Sequence, residues 1–407
     1  MSIESFGAWF VISNVGLVAA TILAAFAFFH PRVLKSPAWR ATVTPLASII
    51  GSGFLVVGPI LAQAFGEAAW LAMAVLCAAG YLHGEAIRHN IRHVPPGSFA
   101  LPPAARLIER ASDLTLSLAY FVSVAYYLNL FAAFSMRIVG VEDRFTVQVV
   151  ASIAIAAFGA VGFYGGLRAL ERLEAEAVGF KLSVIAGIVV ALVLFAFTAH
   201  LPEAPIASHA GTDEFRTLLG LIILVQGFET SRYLGAEYDA ETRIRTMRRA
   251  QWIATLVYVV FVFLITHLFH DGPVGPGGET AIIDMLRPVG VAVAPLLIAA
   301  ALASQSSAAV ADMTGASGLL AEVSRGRLPV KAGNLVTALA AIGITWGADI
   351  YEIILYASKA FVVYYALQSL QATLSSLRRK RRIDAVLFAS GVLIAIAVVL
   401  LGKPVAG

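Results

Sequence analysis

Long apolar runs follow one another along almost the whole sequence, with only short polar links between them. A helix needs about 20 apolar residues to cross the hydrocarbon core of a membrane. The runs are continuously apolar, whereas the strands of a membrane β-barrel alternate in short segments. Charged residues make up 13% of the chain, against about 25% in soluble domains. The sequence therefore predicts an all-α polytopic membrane protein without a sizeable soluble domain.

The apolar runs predict about 12 transmembrane helices. Their approximate positions are 6–29, 45–65, 67–90, 113–136, 146–166, 177–199, 214–237, 250–270, 288–312, 333–348, 351–374 and 383–401. Alternate links between these spans carry 22 of the 29 lysine and arginine residues. Because basic links stay in the cytoplasm, we predict a multi-pass protein of the cell (inner) membrane with both termini extracytoplasmic. The basic links also account for the net charge of +4, so nucleic acid is not an expected partner.

Two of the predicted spans are interrupted, and they lie five spans apart. The second span contains Gly51, Gly53 and Pro59, which weaken a helix or remove a backbone donor. The seventh carries Glu229 and Arg232 in an otherwise apolar segment, where they are expected to pair with each other or to touch a substrate. A single glycine-rich span is commonly a close-packing site. Two at this separation favour broken helices in an inverted 5+5 repeat, the arrangement in which transporters bind substrate.

The predicted inverted repeat divides the chain into four parts. Residues 1–44 form an extra transmembrane helix and a link, 45–200 the first five-helix repeat, 201–374 the second, inverted repeat, and 375–407 a basic link and a last helix. The broken helices are then the first and the sixth of the ten core helices.

Several short motifs resemble those of the amino acid–polyamine–organocation (APC) superfamily of transporters. The matching segments lie in the first core helix, in the sixth core helix with its following loop, and after the eighth core helix: 49–54, 226–229, 236–237, 243–250 and 324–329. The resemblance implies the leucine-transporter-type fold and secondary active transport of amino acids or small organic amines by alternating access, without enzymatic activity.

The sequence departs from the superfamily pattern in three places. An extra helix precedes the first core helix, and only one span follows the tenth. The proline usual in the loop after the sixth core helix is replaced by Arg248. The identity of the substrate is therefore not carried over from the resemblance.

The two breaks predict the substrate-binding residues. A helix that restarts after Gly51 exposes the backbone N–H groups of Ser52, Gly53 and Phe54, which suit a carboxylate. The facing break offers carbonyl oxygens to an ammonium group. The third core helix bears Tyr126, Tyr127 and Asn129, of which the first and last are expected to close over the ligand. The predicted substrate-binding set is Ile50, Gly51, Ser52, Gly53, Phe54, Gln226, Gly227, Phe228, Glu229, Tyr126 and Asn129.

Two ion-coupling schemes follow from the resemblance, and they exclude each other. Ser306 and Ser307 are similar to the hydroxyl pair that binds sodium in related symporters, where carbonyl oxygens equivalent to those of Ala47, Ile50 and Ala303 complete the site. Lys181 is similar to the lysine that takes the place of sodium in some sodium-independent members. Because the ammonium group and a sodium ion compete for one place, we expect sodium-independent transport, either proton-coupled or by exchange. A sodium-coupled symporter is the alternative.

Other function classes are less well supported. A membrane metalloenzyme would need convergent histidines, but His83, His89 and His93 lie at the predicted cytoplasmic end of one helix, as a solvated face, and His267 and His270 at the opposite side. A transporter-like sensor or partner subunit remains an alternative, since fold does not imply function. No cofactor motif or metal site is predicted. The expected partners are a small-molecule substrate, the lipid bilayer, and a proton or Na⁺; the sequence does not indicate an oligomeric state.

Overall fold

The computed structural model describes residues 8–51, 53–94, 102–164, 168–198, 211–269 and 278–405. Within these ranges the regular structure is helical, and the described residues form no strand. The α-helices are α1 (Ala8–Phe28), α2 (Pro31–Leu34), α3 (Pro37–Ile49), α4 (Gly53–Phe65), α5 (Ala69–His93), α6 (Pro103–Met136), α7 (Arg144–Tyr164), α8 (Arg168–Thr198), α9 (Thr212–Gly220), α10 (Thr230–Tyr233), α11 (Ala240–Leu268), α12 (Ala281–Met285), α13 (Val293–Val323), α14 (Val330–Gly347), α15 (Ile350–Arg378) and α16 (Arg382–Leu401).

Local sequence accounts for where several helices begin. The Ser36 hydroxyl accepts a hydrogen bond from the Trp39 N–H ahead of Pro37, the first residue of α3. The Asp239 carboxylate caps α11 in the same way through the Thr242 N–H. Asp349 begins α15 with a reciprocal capping box. These polar residues lie in the links: α15 starts within one residue of its apolar run, whereas α3 and α11 start eight and ten residues before theirs.

Nine segments among the described residues are long and apolar enough to cross a membrane. The prediction of an all-α polytopic membrane fold is therefore confirmed, whereas the count of about 12 stays a prediction. Among the pieces of the broken spans, α3, α9 and α10 are each too short to cross a membrane alone, and α4 continues with α5 as one apolar segment, Gly53–His93. Several boundaries were wrong: α6 begins at Pro103 and α11 at Ala240, each ten residues before the predicted start, and α13 ends at Val323, eleven residues after the predicted end. Charged residues, Glu109 among them, extend α6 beyond its apolar run.

The broken helices lie inside the bundle and the added helices lie at its edge. α6 is central, with 78% of its most apolar stretch buried, against 17% for α1, 22% for α7 and 28% for α16. α1 packs along α8, and α16 packs on α15 and α5. α6 packs on both α13 and α15, while α5 and α11 flank the broken segments. The peripheral helices present their apolar side chains outward, as expected for contact with lipid.

Basic links meet at one end of the bundle. Arg92, at the end of α5, forms a 2.8 Å ion pair with Glu241 at the start of α11. The link between α15 and α16, with Arg379 and Arg381, lies against His89 of α5. We call this the basic end. At the other end Arg137 of α6 contacts Asp284 of α12.

Candidate functional site

The first break separates α3 from α4. Helical geometry ends at Ile49, Ile50 has φ −83° and ψ 52°, and α4 starts at Gly53. Ser52, predicted to offer its N–H group, lies outside the described residues. Gly51 lies against α6, where a β-carbon would stand 3.0 Å from Cε1 of Tyr127. The break therefore brings bare backbone up to an aromatic ring.

The second break is longer. α9 ends at Gly220, a 3₁₀ turn covers Ile222–Val225, and Gln226 is extended before α10 begins at Thr230. Gly227 has φ +114°, a conformation that favours glycine. A β-carbon at Gly227 would lie 2.6 Å from the backbone nitrogen of Ile49. The two breaks are thus in backbone contact, as the predicted pair of broken core helices requires.

A tyrosine holds the two breaks together. The hydroxyl of Tyr258, on α11, lies 2.7 Å from the carbonyl oxygen of Ile49 and 2.9 Å from that of Leu224. Both carbonyls have lost their helical partners because each helix stops there. Gly53 allows this approach, since a β-carbon there would be 2.8 Å from the Leu224 oxygen. Tyr258 therefore satisfies backbone groups that the breaks leave exposed.

Side chains of the second break point into a buried polar site. The Gln226 amide donates a 2.9 Å hydrogen bond to the Tyr127 hydroxyl. Glu229 Oε2 accepts from the Gly227 N–H at 2.9 Å and from the Tyr365 hydroxyl at 2.8 Å. Gln226 Oε1 and Glu229 Oε1 are buried and have no hydrogen-bond partner among the described residues. Buried acceptors of this kind normally have a partner, so they are available to a ligand.

The predicted aromatic and polar residues divide between two surroundings. Phe54 packs on Phe261 with ring centroids 4.0 Å apart, and Phe228 stacks on Tyr365 at 5.1 Å. Tyr126 lies beside Tyr127, 5.3 Å between centroids. These residues surround the breaks.

Asn129 lies elsewhere. Its amide donates to the Ala125 carbonyl at 2.7 Å and to the Thr345 hydroxyl at 2.8 Å, which directs it toward α14. The structure therefore does not bring Asn129 to the breaks. Tyr127 and Tyr365 are the contacts that were not predicted. Tyr127 is adjacent to Tyr126 in sequence. The two side chains leave α6 in different directions, so the orientation of α6 decides which one meets Gln226.

Lys181 places its ammonium group beside the first break. The side chain is 1% exposed, and Nζ donates to the carbonyl oxygens of Ala47 at 2.8 Å and Ile50 at 2.7 Å. The hydroxyl of Ser304, on α13, lies 3.4 Å from Nζ and itself donates to the Ile50 carbonyl at 3.1 Å. The ammonium thus occupies the oxygen cluster formed by the end of α3 and by α13.

The other residues of the predicted sodium set are arranged differently. Ser306 donates to the Leu302 carbonyl at 2.7 Å and Ser307 to the Ser304 carbonyl at 3.0 Å, both within α13. Ala303, next to Ser304, is only partly buried. The hydroxyl that reaches the cluster is that of Ser304, which lies two and three residues before the predicted pair. A small cavity adjoins the cluster and is lined by Ile50, Gly51, Phe54, Leu55, Lys181 and Ser304, among others.

Arg232 has a different partner from the one expected. It pairs with Glu109 of α6 at 2.6 Å rather than with Glu229, and it also donates to the Val94 carbonyl at 3.1 Å. Arg243 reinforces this corner by donating to the Arg232 carbonyl at 2.7 Å. Of the two charged residues in the broken helix, Glu229 therefore lies at the break and Arg232 lies at the basic end.

The histidines are not gathered into a metal site. Among the described residues no three His, Cys, Asp or Glu side chains form a cluster that could hold a metal ion. His270 lies outside these residues. His83 is 1% exposed rather than on a solvated face, and its ring stacks on Tyr365 at 5.1 Å.

A family profile described as APC superfamily transporter matches residues 31–402. The chain belongs to the APC superfamily. The match covers both breaks, Lys181 and all the helices from α2 to α16. The resemblance noted in the sequence is therefore confirmed.

An uncharacterised protein of Aquifex aeolicus (strain VF5) is 39% identical over 383 residues, covering 93% of this chain and 94% of that protein. The fold is similar to a structure of Mhp1, a nucleobase-cation-symport-1 family transporter, in a closed conformation with bromovinylhydantoin bound. That match has a TM-score of 0.57 and 16% identity, and it covers 89% of this chain and 91% of Mhp1. The chain is thus an APC-type transporter with the Mhp1-like fold.

Proposed function

We propose that this transporter carries amino acids or small organic amines by alternating access, without sodium and either proton-coupled or by exchange. The observation that carries the proposal is the ammonium group of Lys181, held at 2.8 and 2.7 Å by the carbonyls of Ala47 and Ile50. A buried lysine can exchange its proton. A fixed ammonium also repels a second cation from the same oxygen cluster, which disfavours a sodium-coupled symporter.

The breaks supply complementary groups for such a substrate. The buried acceptors Gln226 Oε1 and Glu229 Oε1 suit the N–H groups of an ammonium. The first turn of α4, from Gly53 onward, offers backbone N–H groups that have no intrahelical partner. A carboxylate is favoured there by the helix dipole. An amino acid carries both an ammonium group and a carboxylate, whereas an amine carries the ammonium group alone.

Orientation and repeat boundaries complete the proposal. We place the basic end in the cytoplasm and both termini outside the cell (inner) membrane, following the distribution of basic links. Residues 45–200 and 201–374 then form the inverted repeats. The five helices α9 and α10 together, α11, α13, α14 and α15 repeat the pattern of α3 and α4 together, α5, α6, α7 and α8.

Thermal unfolding of the purified protein tests the proposal. We would screen amino acids, small amines and organic anions, with and without sodium and across pH, because a ligand that binds only the folded state raises Tm. We expect an amino acid or amine to raise Tm equally with and without sodium. The rise in Tm should be smaller in Lys181→Met. Lys359→Met, on α15, is the matched control and should keep the effect. A ligand that stabilises only with sodium would refute the sodium-independent mechanism, and no ligand at all would favour a partner subunit or sensor.

Cyclic amides form a second substrate class. Mhp1 was captured with bromovinylhydantoin, and two buried glutamines here have amide atoms without a partner among the described residues: Gln226 Oε1, and both polar atoms of Gln305 beside Ser304. Amide groups pair well with the donor and acceptor edge of a planar ring. Hydantoin and a nucleobase therefore belong in the same screen, and stabilisation by these compounds alone would replace the amino acid proposal.

A further inference from the structure

The interface between α5 and α15 is polar along much of its length. Helices in a membrane meet through small residues and through interhelical hydrogen bonds of Ser, Thr, Asn, Gln and His side chains. Here the contacts are side-chain hydrogen bonds: His83 Nδ1 to the Ser369 hydroxyl at 3.3 Å, Asn90 Nδ2 to Gln368 Oε1 at 2.9 Å, and His89 Nε2 to the Ser375 hydroxyl at 3.1 Å. We call this set the polar seam. Its members are His83, His89, Asn90, Gln368, Ser369 and Ser375.

The polar seam has more hydrogen-bonding capacity than its own contacts use. His83 Nε2, Asn90 Oδ1 and Gln368 Nε2 have no partner among the described residues. All three side chains are almost fully buried, with exposed fractions of 1%, 0% and 0%. Buried groups of this kind form hydrogen bonds with water when the protein provides no donor or acceptor for them. The polar seam therefore offers unused donors and acceptors to bridging water.

The inner end of the polar seam reaches the substrate site. The imidazole of His83 stacks on the ring of Tyr365, with centroids 5.1 Å apart and planes at 23°. The Tyr365 hydroxyl donates to Glu229 Oε2 at 2.8 Å, and Glu229 Oε1 has no partner among the described residues. On the α16 side, a β-carbon at Gly391 would lie 3.6 Å from Cε1 of His83, and Tyr365 is the titratable group whose ring stacks on the imidazole.

The outer end of the polar seam opens at the basic end of the bundle. His89 is half-buried and lies 4.6 Å from the ring of His93. The charged groups around it are Arg379 and Arg381, from the link after α15, and Asp384 of α16. The polar seam thus joins a titratable surface to the carboxyl group in the second break.

We propose that the polar seam conducts protons between the basic end and Glu229, with His83 as the last histidine of the path. An imidazole accepts a proton at one ring nitrogen and releases one from the other, so the ring stays neutral and changes tautomer. The released proton passes through Tyr365 or water to the Glu229 carboxylate, which becomes a neutral acid. The reverse transfer returns it. This inference rests on the proposed function, of which it specifies the proton-coupled form.

Proteoliposomes with an internal pH dye separate proton movement from substrate movement. The probe is a mixture of radiolabelled amino acids, measured first in counterflow and then under an inward proton gradient. In His83→Gln we expect counterflow at the wild-type rate, because it needs no net proton movement. Proton-driven uptake and the accompanying dye signal should fall about 10²-fold, as on removal of a proton-transfer group. The pH profile of uptake should flatten. His267→Gln, on α11 at the opposite end, is the matched control and should change none of these. Proton-driven uptake at the wild-type rate in His83→Gln would overturn the proposal.

A second measurement needs no substrate. Nitrogen NMR of ¹⁵N-histidine protein in nanodiscs identifies the His83 signals by their loss in His83→Gln. The proposal predicts that both tautomers of His83 are present, that they exchange, and that the ring contacts water. In Tyr365→Phe, which lacks only the hydroxyl, the ratio of the two tautomers should change. A single fixed tautomer shielded from water would overturn it. If wild-type counterflow is absent for every amino acid, the proposed function fails, while the NMR result still decides whether the polar seam carries protons.

Discussion

The buried ion pair between Glu109 and Arg232 is predicted to hold the basic end closed. Arg232 follows the second break and has a fully buried side chain, while Glu109 lies on α6 with 10% of its side chain exposed. Their atoms are 2.6 Å apart. Among the described residues the Arg232 guanidinium also donates to the Val94 carbonyl at 3.1 Å, and its Nε and Nη1 atoms have no partner there.

Replacing Glu109 by Gln removes the charge with little change in shape. An uncompensated charge then remains buried, which costs about 3–5 kcal/mol. Since 1.4 kcal/mol is a factor of ten in an equilibrium constant, the closed arrangement should lose stability by a factor of about 10² or more relative to one in which Arg232 meets water. The double variant Glu109→Leu with Arg232→Met removes both charges, and we expect it to recover most of the loss.

Thiol labelling measures this opening. Ser231 is fully buried beside Arg232, so Ser231→Cys in a Cys77→Ala background reports access to α10. Its maleimide labelling should accelerate by about 10²-fold with Glu109→Gln. The matched control is Glu241→Gln, which breaks the exposed Arg92–Glu241 pair, 51% and 67% exposed. Such pairs are worth about 0–1 kcal/mol. Equal labelling rates in Glu109→Gln and Glu241→Gln would refute the reasoning.

Three further changes test the breaks, each by thermal or denaturant unfolding. Lys181→Met removes the ammonium and takes the Lys181 donor from the Ala47 carbonyl, while the Ser304 hydroxyl still donates to the Ile50 carbonyl, so stability should fall by about 1–3 kcal/mol, whereas Lys359→Met should change little. Gly227→Ala should be strongly destabilising because of its φ of +114° and the 2.6 Å approach to the Ile49 nitrogen; Gly343→Ala, which meets nothing within 4 Å, should instead stabilise by up to about 1 kcal/mol. Tyr258→Phe should cost about 0.5–1.5 kcal/mol, and an unchanged Tm would contradict its role as a bridge.

The membrane fold and the approximate positions of both breaks follow from the sequence. These features depend on properties that are local in the chain. A continuous apolar run crosses lipid as a helix wherever it occurs, because the backbone must bond internally. Gly227 permits backbone geometry that few other residues adopt, and Gly51 leaves room for the ring of Tyr127. The resemblance to the superfamily also implied the position of Lys181 beside the first break.

The identity of the side chains that meet at the site was decided by tertiary structure. Neighbouring positions on a helix point about 100° apart, so the rotation of each helix about its axis decides whether Tyr126 or Tyr127, and whether Ser304 or Ser306, faces the breaks. No sequence pattern sets that rotation, since it depends on how α6 and α13 pack on the breaks.

Long-range partners show the same limit. Arg232 pairs with Glu109, which is 123 positions away, rather than with Glu229 nearby. His83 lies in a stretch that predicts a solvated helix end, yet its contact with α15, 286 positions away at Ser369, draws it into the bundle. The sequence by itself determined the all-helical membrane fold and where two of its helices break, because those are properties of the backbone in lipid. Only the packing of distant helices decided which polar groups share a buried space.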